Sequence, residues 1–386
     1  MRVLIVNRHF GNDHVPTGRM LRDLTEALAA AGHEVVVLAA RSSYVATVRN
    51  DLAAGGAEVR YVPTFGEKYR VLSWALFLVQ AWIRVPFMRW DRCIALTDPP
   101  FLGGVALLLR PFGGRCKRLF WWTMDLYPEI LASSGRIGET GLAHRFFRAI
   151  NNAIIRRMGG FIFLGECQLE RFETYPAWRP ENYIIVPPWD RRPIDRVAHE
   201  DNRFIEKYNL RDKKIALYAG NLGEGHTFAP LVRAAEALRD AGRDDWALVF
   251  VIRGSKKAQL EAAAKDLPAI LITDYQPVEW TSDLLWSAHV HLITINAASK
   301  GLVVPSKLYG VLQTDAPVLF IGPGDADTAR EIRRYHAGED LEEGGEGAEM
   351  VAALDRLYAR FLDGDPDRLP PDMTGPEQIA KFVTGG

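Results

Sequence analysis

Lys307 stands in V-P-S-K-L-Y-G-V-L-Q, where Pro305 and Ser306 lead the chain into a helix. Proline costs nothing as a first helical residue, because its missing N–H would have no partner there. The spacing predicts a helix from Pro305 to about Gln313, then a buried strand over Val318–Ile321. The free N–H groups of such a helix start attract anions, and Lys307 adds a full charge beside them. A phosphate or diphosphate suits this combination, and an ordinary surface lysine on an α/β helix fits the same residues equally well. A second cation, Arg253, ends the apolar run V-F-V-I-R and precedes G-S-K-K. Its planar guanidinium suits phosphate oxygens, while Lys256 and Lys257 read as solvated helix residues. Asp125 follows the apolar pair in W-W-T-M-D-L-Y-P-E, which places a carboxylate at the carboxyl end of a strand. A turn aspartate ahead of a proline would look the same.

Residues 7–19, N-R-H-F-G-N-D-H-V-P-T-G-R, form a polar loop after the first strand. His9 and His14, taken singly, read as solvated. Thr17 and Gly18 are placed just ahead of a helix, where glycine lets a ligand approach the backbone closely. Residues 220–225, G-N-L-G-E-G, also lie between a strand and a helix. They are no dinucleotide fingerprint: the glycines come in the wrong order, and the next strand ends in Arg253 instead of an acidic residue. His289 and His291 share a strand face, but two histidines without a third ligand make no catalytic zinc site, and no metal is expected. Neither a nucleophile elbow nor a Walker loop is present.

The elements that position these residues alternate between strand and helix. Arg2–Val6 is a β-branched run typical of a buried parallel strand. Met20, Leu21, Leu24, Ala27, Leu28 and Ala31 fall on one helix face, Gly32 stops that helix, and Glu34–Leu38 is the next strand. Further strands are predicted at Cys93–Leu96, Arg118–Trp122, Gly160–Leu164 and Tyr183–Val186. In the second half they fall at Ile215–Ala219, Ala247–Ile252, Ile270–Thr273, Val290–Ile295 and Val318–Ile321. Two Rossmann-like halves follow from this alternation. The proline- and charge-rich Pro187–Glu200 is the linker between them.

At 386 residues, the chain has room for about two domains. A net charge of −1 provides no global field for nucleic acid. Three scattered cysteines, Cys93, Cys116 and Cys167, suggest a reducing compartment. The opening M-R-V-L-I-V-N has too short an apolar run for a secretion signal and reads as a strand. Val71–Met88 is the most apolar stretch of the first half, interrupted by Gln80 and Arg84 and followed by a run of arginines. A helix buried against the sheet is the plainer reading, and a face on an anionic membrane surface is the sharper one.

The order and spacing of these motifs resemble the retaining GT-B glycosyltransferases of family 4, particularly the branch that builds bacterial surface polysaccharides. V-P-S-K-L-Y-G-V-L-Q-T-D-A-P-V-L-F-I-G resembles that family's donor-binding segment, and D-L-Y-P-E its acceptor side. The resemblance implies an α/β GT-B fold, two Rossmann-like domains with parallel sheets facing across a cleft. It implies an acceptor domain over residues 1–188, a nucleotide-sugar domain over 189–375, and a helix at 376–386 returning to the first domain. The activity implied is sugar transfer from a nucleotide-diphosphate donor, UDP-, dTDP- or GDP-linked, with retention at the anomeric carbon. The acceptor would be a lipid-linked glycan or a small molecule. No cofactor or metal is expected, and the setting would be cytoplasmic, with peripheral contact at the inner membrane face. Asp125, Lys307 and Arg253 would be the catalytic groups. Gly18, Asn221, Gly223, Arg253, Tyr275, Val304, Pro305, Ser306, Lys307 and Leu308 would line the donor, and His9, His14, Thr17 and Asp125 the acceptor. Thr97-Asp98-Pro99-Pro100 matches the same branch and reads as shaping a loop. Many family members carry two glutamates where this chain has Leu302 and Gly310, the second of them on the ribose. Weak dependence on the ribose follows, with backbone N–H groups of Leu302–Val304 taking over the first contact. A hydrolysing nucleotide-sugar epimerase and a non-catalytic binding protein of the same fold are the alternatives.

Overall fold

The computed structural model describes residues 1–10, 16–41, 56–65, 69–109, 115–179 and 181–385. The chain divides into two compact units, one of Met1–Asp190 with Asp372–Gly386, the other of Arg191–Pro371.

In the first unit, β1 (Arg2–Val6), β2 (Glu34–Arg41), β3 (Glu58–Pro63), β4 (Arg92–Ala95), β5 (Leu119–Trp122), β6 (Gly160–Phe163) and β7 (Tyr183–Ile185) make one sheet. Its order is β3-β2-β1-β4-β5-β6-β7, and every pairing is parallel. Parallel neighbours need crossovers. Those described here are α1 (Pro16–Ala30), α2 (Arg70–Arg84), α3 (Val105–Leu108), α4 (Glu129–Ser133), α5 (Leu142–Ile155) and α6 (Glu166–Glu173). α1 begins at Pro16, so Thr17 and Gly18 lie inside its first turn rather than ahead of it. Proline's fixed φ is already helical, which draws the start back to Pro16. The inner side of α2, Phe77 and Ala81, is fully buried in a core with Leu4, Val6, Val36 and Leu38.

The second unit repeats the plan. β8 (Lys214–Asn221), β9 (Trp246–Arg253), β10 (Ile270–Thr273), β11 (Val290–Thr294), β12 (Val318–Ile321) and β13 (Gly338–Leu341) pair in parallel in the order β10-β9-β8-β11-β12-β13. Its helices are α7 (Arg203–Lys207), α8 (Ala229–Asp240), α9 (Lys257–Ala263), α10 (Thr281–Trp286), α11 (Lys307–Val311), α12 (Asp327–Arg334) and α13 (Gly347–Asp363). The segment expected to be helical from Pro305 to Gln313 is helical only over Lys307–Val311. Pro305 and Ser306 precede it, and the Thr314 hydroxyl donates to the Val311 carbonyl (2.9 Å) and closes it early. So short a helix has little dipole, which leaves Lys307 as the main source of positive charge there.

The last helix, α14 (Gly375–Thr384), belongs to the first unit and lies against α1. Arg92 Nε donates to the Val383 carbonyl at 2.9 Å. Gly375 sits so close to the Trp189 ring that a Cβ would lie 2.3 Å from it. Trp189 in turn stacks on Trp122 with centroids 5.8 Å apart and donates to Asp23 at 2.8 Å.

Candidate functional site

In an open parallel sheet, ligands collect beyond the carboxyl ends of the strands where the strand order reverses. The second unit reverses between β8 and β11. The loop leaving β8 is pinned across that point. His226 Nδ1 donates to the Thr294 carbonyl (2.5 Å) at the end of β11, and Thr227 N–H donates to the Thr294 hydroxyl (3.3 Å). Asn296 donates from its backbone to Gly225 (3.0 Å) and from its side chain to Glu224 (2.6 Å). Lys256, expected to be solvated, instead turns inward, and its ammonium donates to the carbonyls of Glu224 (3.2 Å) and His226 (2.6 Å). Lys257 pairs with Asp274 at 2.6 Å. Asn221 and Gly223 are thus carried on a loop held from three sides. Gly254, at φ +130°, permits the close approach beneath it: a Cβ there would lie 2.4 Å from the Leu222 carbonyl oxygen.

Lys307 reaches into the same place. Its ammonium lies 3.4 Å from the centroid of the Tyr218 ring and is sealed from solvent with no hydrogen-bond partner. A Cβ on Gly220 would sit 3.6 Å from Lys307 Cδ, in ordinary contact with the lysine stem. Burial holds the Lys307 amine well below the usual lysine range. Burial, and secondarily Lys307, lowers His226 to about 4, so its ring is neutral at neutral pH. Arg253 is the last residue of β9, exposed, with its guanidinium 4.9 Å from the centre of Tyr275 just past β10. Val304, Pro305 and Ser306 form the approach to α11, and Leu308 is buried behind it. The backbone contact expected from Leu302–Val304 is corrected in part: the N–H groups of Leu302 and Val303 already donate to the Ser299 carbonyl (2.9 and 3.1 Å). Gly310 is buried within α11.

The first unit reverses between β1 and β4. His9, expected as a free loop residue, is held there. Its Nε2 is 3.2 Å from the Asp98 carboxylate, which also binds Arg8 at 3.2 Å. The Arg8 N–H donates to the Asp98 carbonyl (2.9 Å). The Thr97 hydroxyl accepts the Asp125 N–H (2.9 Å) and so ties the end of β4 to the loop after β5. Asp125 keeps an open surface yet is crowded by surrounding protein. That desolvation, with the Asp98 charge as the lesser cause, pushes its carboxyl up to about 6. Thr17 and Gly18 stand in the first turn of α1, and His14 lies outside the described residues. Glu129 is structural: buried, it accepts from Arg148 (2.7 Å) and the Tyr175 hydroxyl (2.7 Å).

Sequence reasoning missed the roles of Asp98 and Lys256. For Asp98 the available signal was its place three residues past β4, next to the reversal. His289 and His291 are core residues. His289 Nδ1 accepts the Ile215 N–H (2.9 Å), and His291 Nε2 meets the Thr314 hydroxyl (3.1 Å). Among the described residues, no three His, Cys, Asp or Glu side chains converge as a metal site.

The arrangement offers two different ends. Cations and a preformed loop in the second unit can hold a diphosphate. Carboxylates and an imidazole in the first can hold hydroxyls. The Glycosyl transferase 4-like domain matches residues 17–189. WcaI of Escherichia coli, assigned as a colanic acid biosynthesis glycosyl transferase, is 25% identical over 81% of this chain and 81% of its own. WbjE of Pseudomonas aeruginosa, assigned as a glycosyltransferase, is 23% identical over 63% of this chain and 60% of its own. Among solved structures, WaaG, a glycosyltransferase involved in lipopolysaccharide biosynthesis, superposes with a TM-score of 0.66 at 17% identity, both chains fully covered. Anabaena HepE in complex with UDP and glucose gives 0.64 at 12%, covering 100% of this chain and 96% of that one.

Proposed function

For a chain that belongs to the GT-B glycosyltransferases of family 4, we propose transfer of a sugar from a nucleotide-diphosphate donor, held by the second unit, to an acceptor hydroxyl held by the first. The observation that carries this is the unpartnered Lys307 ammonium beside the pinned 220–225 loop. A buried amine without a partner is unfavourable, and a diphosphate would satisfy it. Lys307 and Arg253 would neutralise the charge that grows on the diphosphate as the sugar leaves, which lowers the barrier. Asn221, Gly223, Val304, Pro305 and Ser306 would frame the phosphates, and Tyr275 the base. HepE was solved with UDP and glucose, which supports a uridine donor among the choices.

Asp125 would orient the acceptor, with His9 and Thr17 at its side. At about 6, its carboxyl is ionised at neutral pH and can accept a hydroxyl's hydrogen bond. Transfer would proceed with retention, the acceptor's proton passing to a donor phosphate oxygen on the face the leaving group vacates, without a covalent enzyme intermediate. The names of WcaI and WaaG point to a surface-polysaccharide acceptor. A lipid-linked glycan taken at the inner face of the membrane fits that setting.

A thermal-shift screen of nucleotide diphosphates and their sugars, then product analysis by NMR with the best donor, tests the reading. A donor-dependent shift and an anomerically retained product are expected. A trapped glycosyl-enzyme adduct or an inverted product would overturn the mechanism, and no shift with any nucleotide would overturn the donor site.

A further inference from the structure

The loop leaving β8 meets the reversal of its sheet with its backbone acceptors already engaged. The Gly223 carbonyl accepts from the His226 N–H (3.1 Å) and the Gly225 carbonyl from the Asn296 N–H (3.0 Å). The Glu224 carbonyl accepts from the Asn296 side chain (2.6 Å) and Lys256 (3.2 Å), and the His226 carbonyl from Lys256 (2.6 Å). The Glu224 carboxylate takes the Ser255 hydroxyl (2.6 Å). Val303 packs closely here, since a Cβ on Gly225 would lie 2.8 Å from its Cγ2. Neither Val303 nor the buried Leu302 brings a polar side chain, and the N–H groups of both are spent on the Ser299 carbonyl.

One acceptor at this point is uncommitted. His226 is 9% exposed. A carbonyl can only accept, so the contact with Thr294 puts the ring proton on Nδ1. Burial and Lys307 keep the ring from taking a second proton, which leaves Nε2 with a bare lone pair. Among the described residues Nε2 has no hydrogen-bond partner, and unlike the Lys307 ammonium it is not sealed from solvent. The imidazole stands edge-on to Tyr218, centroids 6.2 Å apart, the same ring that the Lys307 ammonium approaches.

We propose that His226 Nε2 accepts a hydrogen bond from one hydroxyl of the donor's sugar, so that the second unit selects sugars carrying that hydroxyl. The partner follows from what a lone pair can meet. Diphosphate oxygens accept only and would be repelled, whereas a sugar hydroxyl can donate. The sugar is joined directly to the diphosphate, which puts its hydroxyls one group away from the lysine assigned to the phosphates. A site that bonds a hydroxyl rejects an analogue without it more strongly than a site that reads shape alone. The inference rests on the donor reading of this unit and adds the group that would read the sugar.

The test is calorimetric titration of the full chain with UDP, dTDP and GDP, then with the glucose, galactose and N-acetylglucosamine forms of the nucleotide that binds best. The readout is the affinity for the sugar-linked form divided by that for the plain nucleotide, because damage to the loop lowers both together. In His226→Asn the amide nitrogen can replace Nδ1 at Thr294, with nothing in the place of Nε2. In His226→Gln an amide oxygen can stand near Nε2, and the Thr294 contact is given up. The ratio for the preferred sugar should fall at least about fivefold in His226→Asn, with the plain nucleotide within about threefold of wild type. It should return to within about threefold of the wild-type value in His226→Gln. An unchanged ratio in His226→Asn, an equal fall in His226→Gln, or a wild type that binds every sugar form as it binds the plain nucleotide would overturn the inference and leave the donor site standing. A wild type that binds no nucleotide would overturn the donor site, and this inference with it.

Discussion

Replacing Lys307 by methionine should make the ligand-free protein more stable and the nucleotide-bound protein weaker. Methionine keeps the aliphatic stem and a favourable contact with the Tyr218 ring, and removes only the buried nitrogen. An unsatisfied buried polar group costs about 1–3 kcal/mol. The ring 3.4 Å from the ammonium offsets part of this through its negative face, so a gain of about 1 kcal/mol is expected. Over a unit the size of Arg191–Pro371 that raises the melting temperature by about 2–4 °C. The sign can be checked by pH. The folded amine lies below its ordinary value, so over the window between the two the folded state binds fewer protons than the unfolded one. Stability of the wild type therefore rises with pH there, and the advantage of methionine should shrink as pH approaches 10. Loss of a charge-assisted contact, about 1.5–3 kcal/mol, should weaken UDP about 10- to 150-fold. Differential scanning fluorimetry with a UDP titration reads both effects. A variant that melts lower than wild type without UDP, yet binds UDP within threefold of it, would refute the reasoning.

Asp125→Asn should lower turnover by about two orders of magnitude and abolish the acid limb of the pH–rate profile, which in the wild type should fall below an apparent pKa near 6; an unchanged limb would assign it elsewhere. His226, His289 and His291 are all lowered by burial, to about 4, 3 and 3. The folded state thus binds fewer protons than the unfolded one below about pH 6.5, and stability is lost as pH falls from 7 to 5, by up to about 1.4 kcal/mol per pH unit for each. Urea unfolding across that range should show the slope, and His291→Leu should reduce it by about a third. Gly310 has no side chain to bond a ribose hydroxyl, so UDP- and dTDP-linked forms of one sugar should differ by less than about tenfold in kcat/KM; a hundredfold preference surviving substitution of Tyr275 would show another residue on the ribose.

The sequence revealed every strand inside the two sheets, and two of the four edges, β7 and β10, as well. Arg2–Val6, Trp246–Arg253 and Val318–Ile321 are covered on both faces, so they read as unbroken apolar runs. The two that were missed are edges: β3, E-V-R-Y-V-P, and β13, G-E-D-L. An edge strand needs fewer apolar residues, and the proline ending β3 reads as a break. Placement was legible where position alone implies exposure at a strand end, as for Arg253 and Asp125. It was not legible where a distant partner decides the state of a group. Nothing local says that Lys307 is buried under Tyr218, that Lys256 bends inward, or that Asp98 holds His9. The Pro305 helix was overextended because propensity continues to Gln313, whereas the Thr314 hydroxyl ends it at Val311.

One topology supplies both ends of the chemistry, and charge separates them. Each sheet reverses once, and loop ends gather at each reversal. In the second unit those loop ends carry Lys307 and Arg253, with Lys256 holding the loop, and the nearby His226 stays neutral. An anion is attracted there and meets a loop whose shape is already set by hydrogen bonds. In the first unit Asp98 and Asp125 lie within electrostatic reach of one another, and Asp98 is bound by Arg8 and by the His9 ring. A diphosphate would be repelled by that pair, while a neutral hydroxyl can donate to either carboxylate. Exchanging the proposed donor and acceptor ends would set a dianion against two carboxylates and leave a buried amine without a partner.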